Sequence, residues 1–289
     1  MSTPKKNAIL VRLIGKGINT LSELSPKMAG RIAFDLFCTP RKKTVKPEEV
    51  AFLATADRHT ELIAGKAFAV YHWGFKGPIV LLAHGWESHS GRWRKVAPML
   101  VQAGYQVVAV DAPAHGRSSG RRFTMIHYAE VLRTLYQRLG PIDTVIGHSV
   151  GGAATIWAMG TVSTAMRPKK AVIMAAFSTL DSIFEQARTR VGISGRAMQL
   201  LHQQFEHKFK HPVAHFSIER VAAQLGDVSV LLLHDRKDAV THYEHSVRLA
   251  AAWPNAQLIT TEGYGHGLTA PKVLETIFDF VSGPVYHGS

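Results

Sequence analysis

The chain has 289 residues, of which 46% are apolar, one cysteine (Cys38) and a formal net charge of +13. These figures allow one substantial core and exclude an intrachain disulfide framework or a thiolate metal cluster. No run approaches the roughly 18 apolar residues of a membrane span, and Arg12 and Lys16 interrupt the N-terminal stretch "MSTPKKNAILVRLIGKG" before it reads as a secretory signal. A cytoplasmic location is therefore expected.

Residues 1–46 hold ten Lys or Arg against Glu23 and Asp35, a local charge of +8 that leaves +5 for the rest of the chain. Such a basic end suits an anionic membrane surface or nucleic acid, but no nucleic-acid motif or aromatic-interleaved basic patch accompanies it. No nucleic-acid partner is expected, and a solvated helix face is preferred over weak membrane-surface association. Leu10, Leu13, Ile14, Leu21, Leu24, Met28, Ile32 and Leu36 recur at three- and four-residue spacing, with a break near Ser25-Pro26. They predict two amphipathic helices whose apolar stripes pack on the main domain, an interfacial membrane helix being the alternative. "TPRKKTVKPEE" reads as a polar connector.

From residue 67 the pattern changes. "AFAVYHW" alternates like a half-exposed strand, and short apolar runs follow: "PIVLLAH", "YQVVAVDAP", "DTVIGHS", "KKAVIMAAF", "VSVLLLHD" and "AQLIT". Helical stretches over 93–102, 123–139, 151–159 and 242–252 alternate with them. Buried runs alternating with helices predict a mostly parallel sheet covered on both faces. About fifty residues, from Phe177 to Asp227, separate two sheet strands and read as helical and histidine-rich. A crossover needs one helix, so the excess predicts an inserted helical cap. The expected organisation is an N-terminal helical extension over 1–60, a core over 61–176 and 228–289, and a cap over 177–227.

The stretch "GHSVGG", residues 147–152, lies between a predicted strand and a predicted helix. Glycines there allow a strand-to-helix turn tight enough to present Ser149 in strained geometry at the sheet edge. A serine hydroxyl needs a histidine to take its proton and a carboxylate to orient that histidine. Asp238 follows the apolar strand of "LLLHDRKDAV", and His266 sits in the glycine-rich "TTEGYGHGL" after the last strand. Both fall at carboxyl ends of strands, where ligand sites form in such sheets. Asp235 and Asp181 are the rival acids. His148 should point away from the nucleophile, and His234 lies in a strand. Backbone N–H groups of Val150 and of Trp86, in "LLAHGWESHSGRW", are the candidate donors to a developing oxyanion.

Together "HGW" at 84–86, "DAPAHGRSSG" at 111–120, "GHSVGG", "HDRKDAV" at 234–240 and "GYGHG" at 263–267 make residues 67–282 resemble the α/β-hydrolase superfamily. The resemblance implies the α/β-hydrolase fold, the triad Ser149, Asp238 and His266, and no metal or organic cofactor. Ala114 stands where the family's D-x-P-G-H-G-x-S turn has glycine, which implies a slightly altered turn. A serine nucleophile argues against the dehalogenases and epoxide hydrolases of this fold, which use aspartate.

The expected function is cleavage of small-molecule carboxylic esters of short or medium acyl chain by a carboxylesterase-like serine hydrolase. Thioesters, lactones and carbon–carbon bonds beside a ketone are the chemical alternatives, and a non-catalytic binding module is the alternative of another class. His84, Gly85, His148 and Phe177 are candidate substrate contacts. Trp86, Trp93, Phe184, Phe205 and Phe209 are further candidates for an apolar pocket.

Overall fold

The protein is represented by a computed structural model that describes residues 4–41 and 44–284. Its chain divides into a sheet unit, residues 40–178 and 218–289, and a helical unit, residues 1–39 and 179–217.

In the sheet unit eight strands, β1 (Asp57–Ile63), β2 (Lys66–Trp73), β3 (Ile79–Ala83), β4 (Gln106–Val110), β5 (Ile142–His148), β6 (Lys170–Met174), β7 (Ser229–Asp235) and β8 (Ala256–Thr261), form one sheet. Their order is β1-β2-β4-β3-β5-β6-β7-β8. Only the β1–β2 and β2–β4 pairings are antiparallel. This is the α/β-hydrolase fold that the motifs imply. Strands β6 and β7 are buried along their whole length, as a parallel sheet covered on both faces requires, and their sequences are correspondingly near-continuous apolar runs. The pairings Ala83↔Gly147, His148↔Met174 and Met174↔Leu233 bring the carboxyl ends of β3, β5, β6 and β7 to one edge of the sheet.

One face of the sheet is covered by α4 (Val96–Gln102) and α9 (Pro271–Ser282), whose Val96, Ala97, Leu100, Val273, Ile277 and Val281 pack with Leu82, Ala109, Val172 and Leu231. The helices α5 (Met125–Leu139) and α6 (Val150–Met159) pack on each other. The segment expected to be a polar connector contains α3 (Pro47–Leu53), and β1 follows it. Strand β1 escapes a pattern search because it is an edge strand in which only Ile63 is buried, so no apolar alternation marks it. Residues 44–60 therefore belong with the sheet unit.

The helical unit consists of α1 (Pro4–Leu24), α2 (Pro26–Cys38), α7 (Leu180–Val191) and α8 (Gly195–Phe209). The Asn19 side chain pins the α7–α8 junction, donating to the Gly192 carbonyl (2.9 Å) and accepting from the Ser194 N–H (2.8 Å). Its aromatic core joins Phe37, Phe184, Phe205, Phe209 and Phe216. Phe184 and Phe205 are thus fully used in packing.

The apolar stripes of α1 and α2 do not pack as their spacing predicts. The buried positions are mostly small: Ala29, Gly30, Ala33 and Cys38, beside Ile18 and Phe34. A Cβ at Gly30 would lie 2.9 Å from the Leu200 carbonyl oxygen, and one at Gly15 would overlap that of Val191. Small residues let the helix backbones approach closely, and the large apolar residues are left facing solvent. Among the described residues, no helix is long and apolar enough to cross a membrane.

Ala114 takes φ +62°, so the turn after β4 keeps a left-handed residue at a position that is not glycine. That conformation disfavours an L side chain by about 1–2 kcal/mol, and glycine returns part of this gain through its freer unfolded state. Ala114→Gly is therefore expected to raise stability by about 0.5–1 kcal/mol, read as a higher urea midpoint with an unchanged slope. A lower midpoint would contradict the strain.

Candidate active site

One residue separates β5 from α6, and that residue is Ser149. It has φ +55° and ψ −125°, a strained conformation for a residue with a side chain. Its N–H donates to the Met174 carbonyl at 2.7 Å, fixing the turn to the neighbouring strand. A Cβ at Gly147 would lie 2.6 Å from the Cα of Gly152, and one at Gly151 would overlap the carbonyl oxygens of Ala83 and His84. The two glycines therefore let α6 start directly against the ends of β3 and β5.

Asp238 lies in the turn beyond β7 and His266 in the loop beyond β8. The structure brings both to Ser149: His266 Nδ1 is 2.7 Å from Asp238 Oδ2, and His266 Nε2 is 3.1 Å from Ser149 Oγ. Asp238 is buried. Burial alone would raise its pKa, but hydrogen bonds from His234, His266 and the N–H groups of Thr241 and Val240 outweigh it and hold the carboxyl well below the usual range. An ionised Asp238 assigns the His266 proton to Nδ1, leaving Nε2 to accept from the serine hydroxyl.

The rival residues have other work. Asp235 accepts from the N–H groups of Lys237 (2.9 Å) and Tyr264 (2.7 Å) and from the Thr261 hydroxyl (2.9 Å), so it shapes the loop that carries His266. Asp181 lies in the first turn of α7, in the helical unit. His234 Nε2 is 2.8 Å from the Thr241 carbonyl and 3.4 Å from Asp238 Oδ2, while its Nδ1 accepts from the Ser246 hydroxyl at 2.6 Å. It braces the Asp238 turn from below.

His148 is bonded to the His266 backbone. Its Nε2–H donates to the His266 carbonyl at 2.8 Å, and its Nδ1 has no hydrogen-bond partner among the described residues. Burial, reinforced by the Arg92 charge, pushes this imidazole well below its ordinary pKa. Sequence reading missed Arg92. Its guanidinium lies 4.8 Å over the Trp93 ring and donates to the Gly267 carbonyl at 3.1 Å, and burial lowers its pKa to about 10. No spacing or motif marks this residue, because its target is a backbone atom 175 positions away. Trp93 itself is buried against the sheet.

The loop after β3 closes the site from another side. A Cβ at Gly85 would lie 3.0 Å from the Ser149 Cβ and 2.8 Å from His148 Nδ1, so this backbone runs against the serine. Asp111 Oδ1 accepts from both the N–H and the hydroxyl of Ser90 at 2.8 Å, and its Oδ2 accepts from the Arg117 N–H at 2.9 Å. That carboxylate ties the 84–90 loop to the turn after β4. Glu87, at φ +50°, donates its N–H to His115 Nε2 at 3.0 Å and receives the Arg41 guanidinium on both carboxylate oxygens. Trp86 meets His115 and Phe123 edge-on and keeps about a third of its surface exposed. Val150 begins α6, where backbone N–H groups lack intrahelical partners.

Among the candidate substrate contacts, His84 is corrected. It is fully buried, its Nε2 accepts the Ala112 N–H at 2.9 Å and its Nδ1 meets the Gly85 carbonyl at 2.8 Å, so both ring nitrogens are committed to the fold. Phe177 is buried three residues beyond β6. Among the described residues, no three His, Cys, Asp or Glu side chains are grouped to hold a metal ion.

Two family models match the chain, one described as alpha/beta hydrolase fold over residues 78–193 and one as TAP-like protein over residues 208–279. The chain is 42% identical over 83 residues to a non-heme haloperoxidase of Rhodococcus erythropolis, a match covering 28% of this chain and 30% of that protein. It is 39% identical over 82 residues to a monoacylglycerol lipase of Mycolicibacterium smegmatis, covering 26% of this chain and 29% of that protein. The chain thus matches about 30% of the length of these curated relatives. Its fold is similar to that of an esterase from Exiguobacterium antarcticum, with a TM-score of 0.58 and 20% identity over 78% of this chain and 98% of the other.

The buried imidazoles make the sheet unit acid-sensitive. Burial depresses His84, His148 and His245, the last from 6.5 to about 4. Each binds a proton more readily unfolded than folded, so the stability it contributes is present above about pH 6.5 and is lost as pH falls below that, for His245 down to about 4. The urea midpoint is expected to fall between pH 7 and pH 5 as the unfolding free energy drops by at most about 1.4 kcal/mol per pH unit for each group. His245→Gln should flatten that slope, and an unchanged midpoint across this range would contradict the assignment.

Proposed function

Because the chain belongs to the α/β-hydrolase superfamily, we propose that it is a serine hydrolase cleaving carboxylic esters of short or medium acyl chain. The observation that carries this reading is the continuous chain of contacts from Asp238 through His266 to Ser149, at 2.7 and 3.1 Å, with the serine at a strained elbow. Resemblance in part to a monoacylglycerol lipase supports an ester as the bond attacked.

In this reading Ser149 Oγ adds to the ester carbonyl as its proton passes to His266 Nε2. The tetrahedral oxyanion accepts hydrogen bonds from the backbone N–H groups of Trp86 and Val150. Collapse breaks the bond to the alcohol oxygen, which takes the proton from His266, leaving an acyl-serine. Water then enters, gives its proton to His266, and attacks the acyl carbon; the same proton returns to Ser149 as the acid departs. Ionised Asp238 stabilises the imidazolium present in both transition states and keeps Nδ1 protonated throughout. His148 and Arg92, bound to the carbonyls of His266 and Gly267, keep the base in place as its charge changes. Thioesters, lactones and carbon–carbon bonds beside a ketone present the same carbonyl and are the other substrates this machinery suits.

Turnover of p-nitrophenyl esters from two to sixteen acyl carbons tests the reading. Activity is expected to peak at a short or medium chain and to fall by at least about 10⁴-fold in Ser149→Ala. Asp238→Asn should lower kcat by a similar factor through the wrong tautomer, with the fold retained. Full activity in a folded Ser149→Ala protein would overturn the mechanism.

A further inference from the structure

Of the large apolar residues that the structure leaves exposed, a cluster falls within α1 and α2: Ile9, Leu10, Leu13, Ile14, Leu24, Met28, Ile32 and Leu36. Four of them are more than half exposed. Leu24 is 78% exposed, Ile9 61%, Leu10 58% and Leu13 57%. Their positions are ordered as well. Met28, Ile32 and Leu36 recur every four residues and so share one face of α2, while Ile9, Leu10, Leu13 and Ile14 form the corresponding stripe of α1. Large apolar residues left exposed along one face of a helix mark an interaction site.

The opposite faces of both helices are already occupied by α7 and α8 through small residues. Rotating either helix to bury the large residues would bring bulky side chains to where Gly15 and Gly30 touch backbone carbonyls. The outward stripe is therefore built in.

The rim of this stripe is cationic. Arg12 immediately precedes Leu13, Lys27 precedes Met28 and Arg31 precedes Ile32, which places each cation about 100° round the helix from its apolar neighbour. Arg12, Lys16, Lys27 and Arg31 are all exposed. Of the two acids in these helices, Glu23 faces Arg196 at 3.4 Å and Asp35 is half-buried. An apolar stripe flanked by long basic side chains is the pattern of a helix lying in the plane of a lipid interface, the cations reaching up to the headgroups.

We propose that this face of α1 and α2 docks on an anionic phospholipid surface, without spanning it. The inference does not depend on the proposed reaction. A second copy of the chain fits the same face poorly, because it would set these four cations against their own counterparts.

The test is co-sedimentation of the full chain with vesicles of equimolar phosphatidylcholine and phosphatidylglycerol, and with phosphatidylcholine alone. Binding is expected only to the anionic vesicles and should weaken as salt is added. The double variant Leu13→Gln, Ile32→Gln should weaken it at least tenfold. Arg12→Gln with Arg31→Gln should do so by about fivefold for each arginine. All these positions are exposed, so urea unfolding and turnover of a soluble ester should match the parent. No vesicle binding by the parent chain would overturn the proposal, as would equal binding by the variants. So would a dimer in analytical ultracentrifugation that the Leu13→Gln, Ile32→Gln variant dissociates, since the occupant would then be a second copy.

Discussion

The site depends on one constraint: a helix must begin within a single residue of the end of a strand buried at the centre of the sheet. Ser149 meets it with φ +55°, a conformation that is uphill for a residue with a side chain. The turn is held by what surrounds it. The Ser149 N–H is bonded to β6, and Gly147 and Gly151 remove the side chains that would push β5, α6 and the end of β3 apart. Gly85 removes another, letting the loop after β3 run against the serine. The same close approach that creates the strain presents the hydroxyl to the histidine that the distant end of the chain delivers.

Delivering that histidine is the second task, and it is shared among many weak contacts. Asp235 gathers Thr261, Tyr264 and Lys237 and so sets the path of the loop after β8. His148 and Arg92 hold the carbonyls of His266 and Gly267. Asp238, fixed through Oδ1 by two backbone N–H groups and bordered by His234, accepts a hydrogen bond from His266 Nδ1–H. A buried carboxylate without such donors would be driven to protonate. Here the donors outweigh burial, so a charge is kept beside the imidazole in a setting of low dielectric, where it acts most strongly.

Sequence periodicity revealed most of the sheet because its central strands are buried on both faces and must be apolar throughout, as in "VSVLLLHD". The same logic failed for β1, whose "DRHTELI" lies at an edge and buries one residue. It failed differently for α1 and α2. Their spacing correctly marked amphipathic helices, but the assumption that large apolar residues face inward was reversed by Gly15, Ala29, Gly30 and Ala33, whose small size permits closer packing. Ser149, Asp238 and His266 were legible from local context, a turn after a strand in each case. Arg92 was not, since its role is set by a backbone carbonyl that only the folded chain brings near. His84 was misread because a histidine at a strand end looks available until both its ring nitrogens are seen to be bonded within the fold.

The proposed reaction requires Ser149 to be an activated nucleophile that depends on His266. Reaction with a fluorophosphonate, followed by intact mass and peptide mapping, measures this without choosing a substrate. A single adduct on Ser149 is expected, absent in Ser149→Ala and formed far more slowly in a folded His266→Ala protein. Labelling that persists in Ser149→Ala, or that proceeds at the parent rate in His266→Ala, would contradict it.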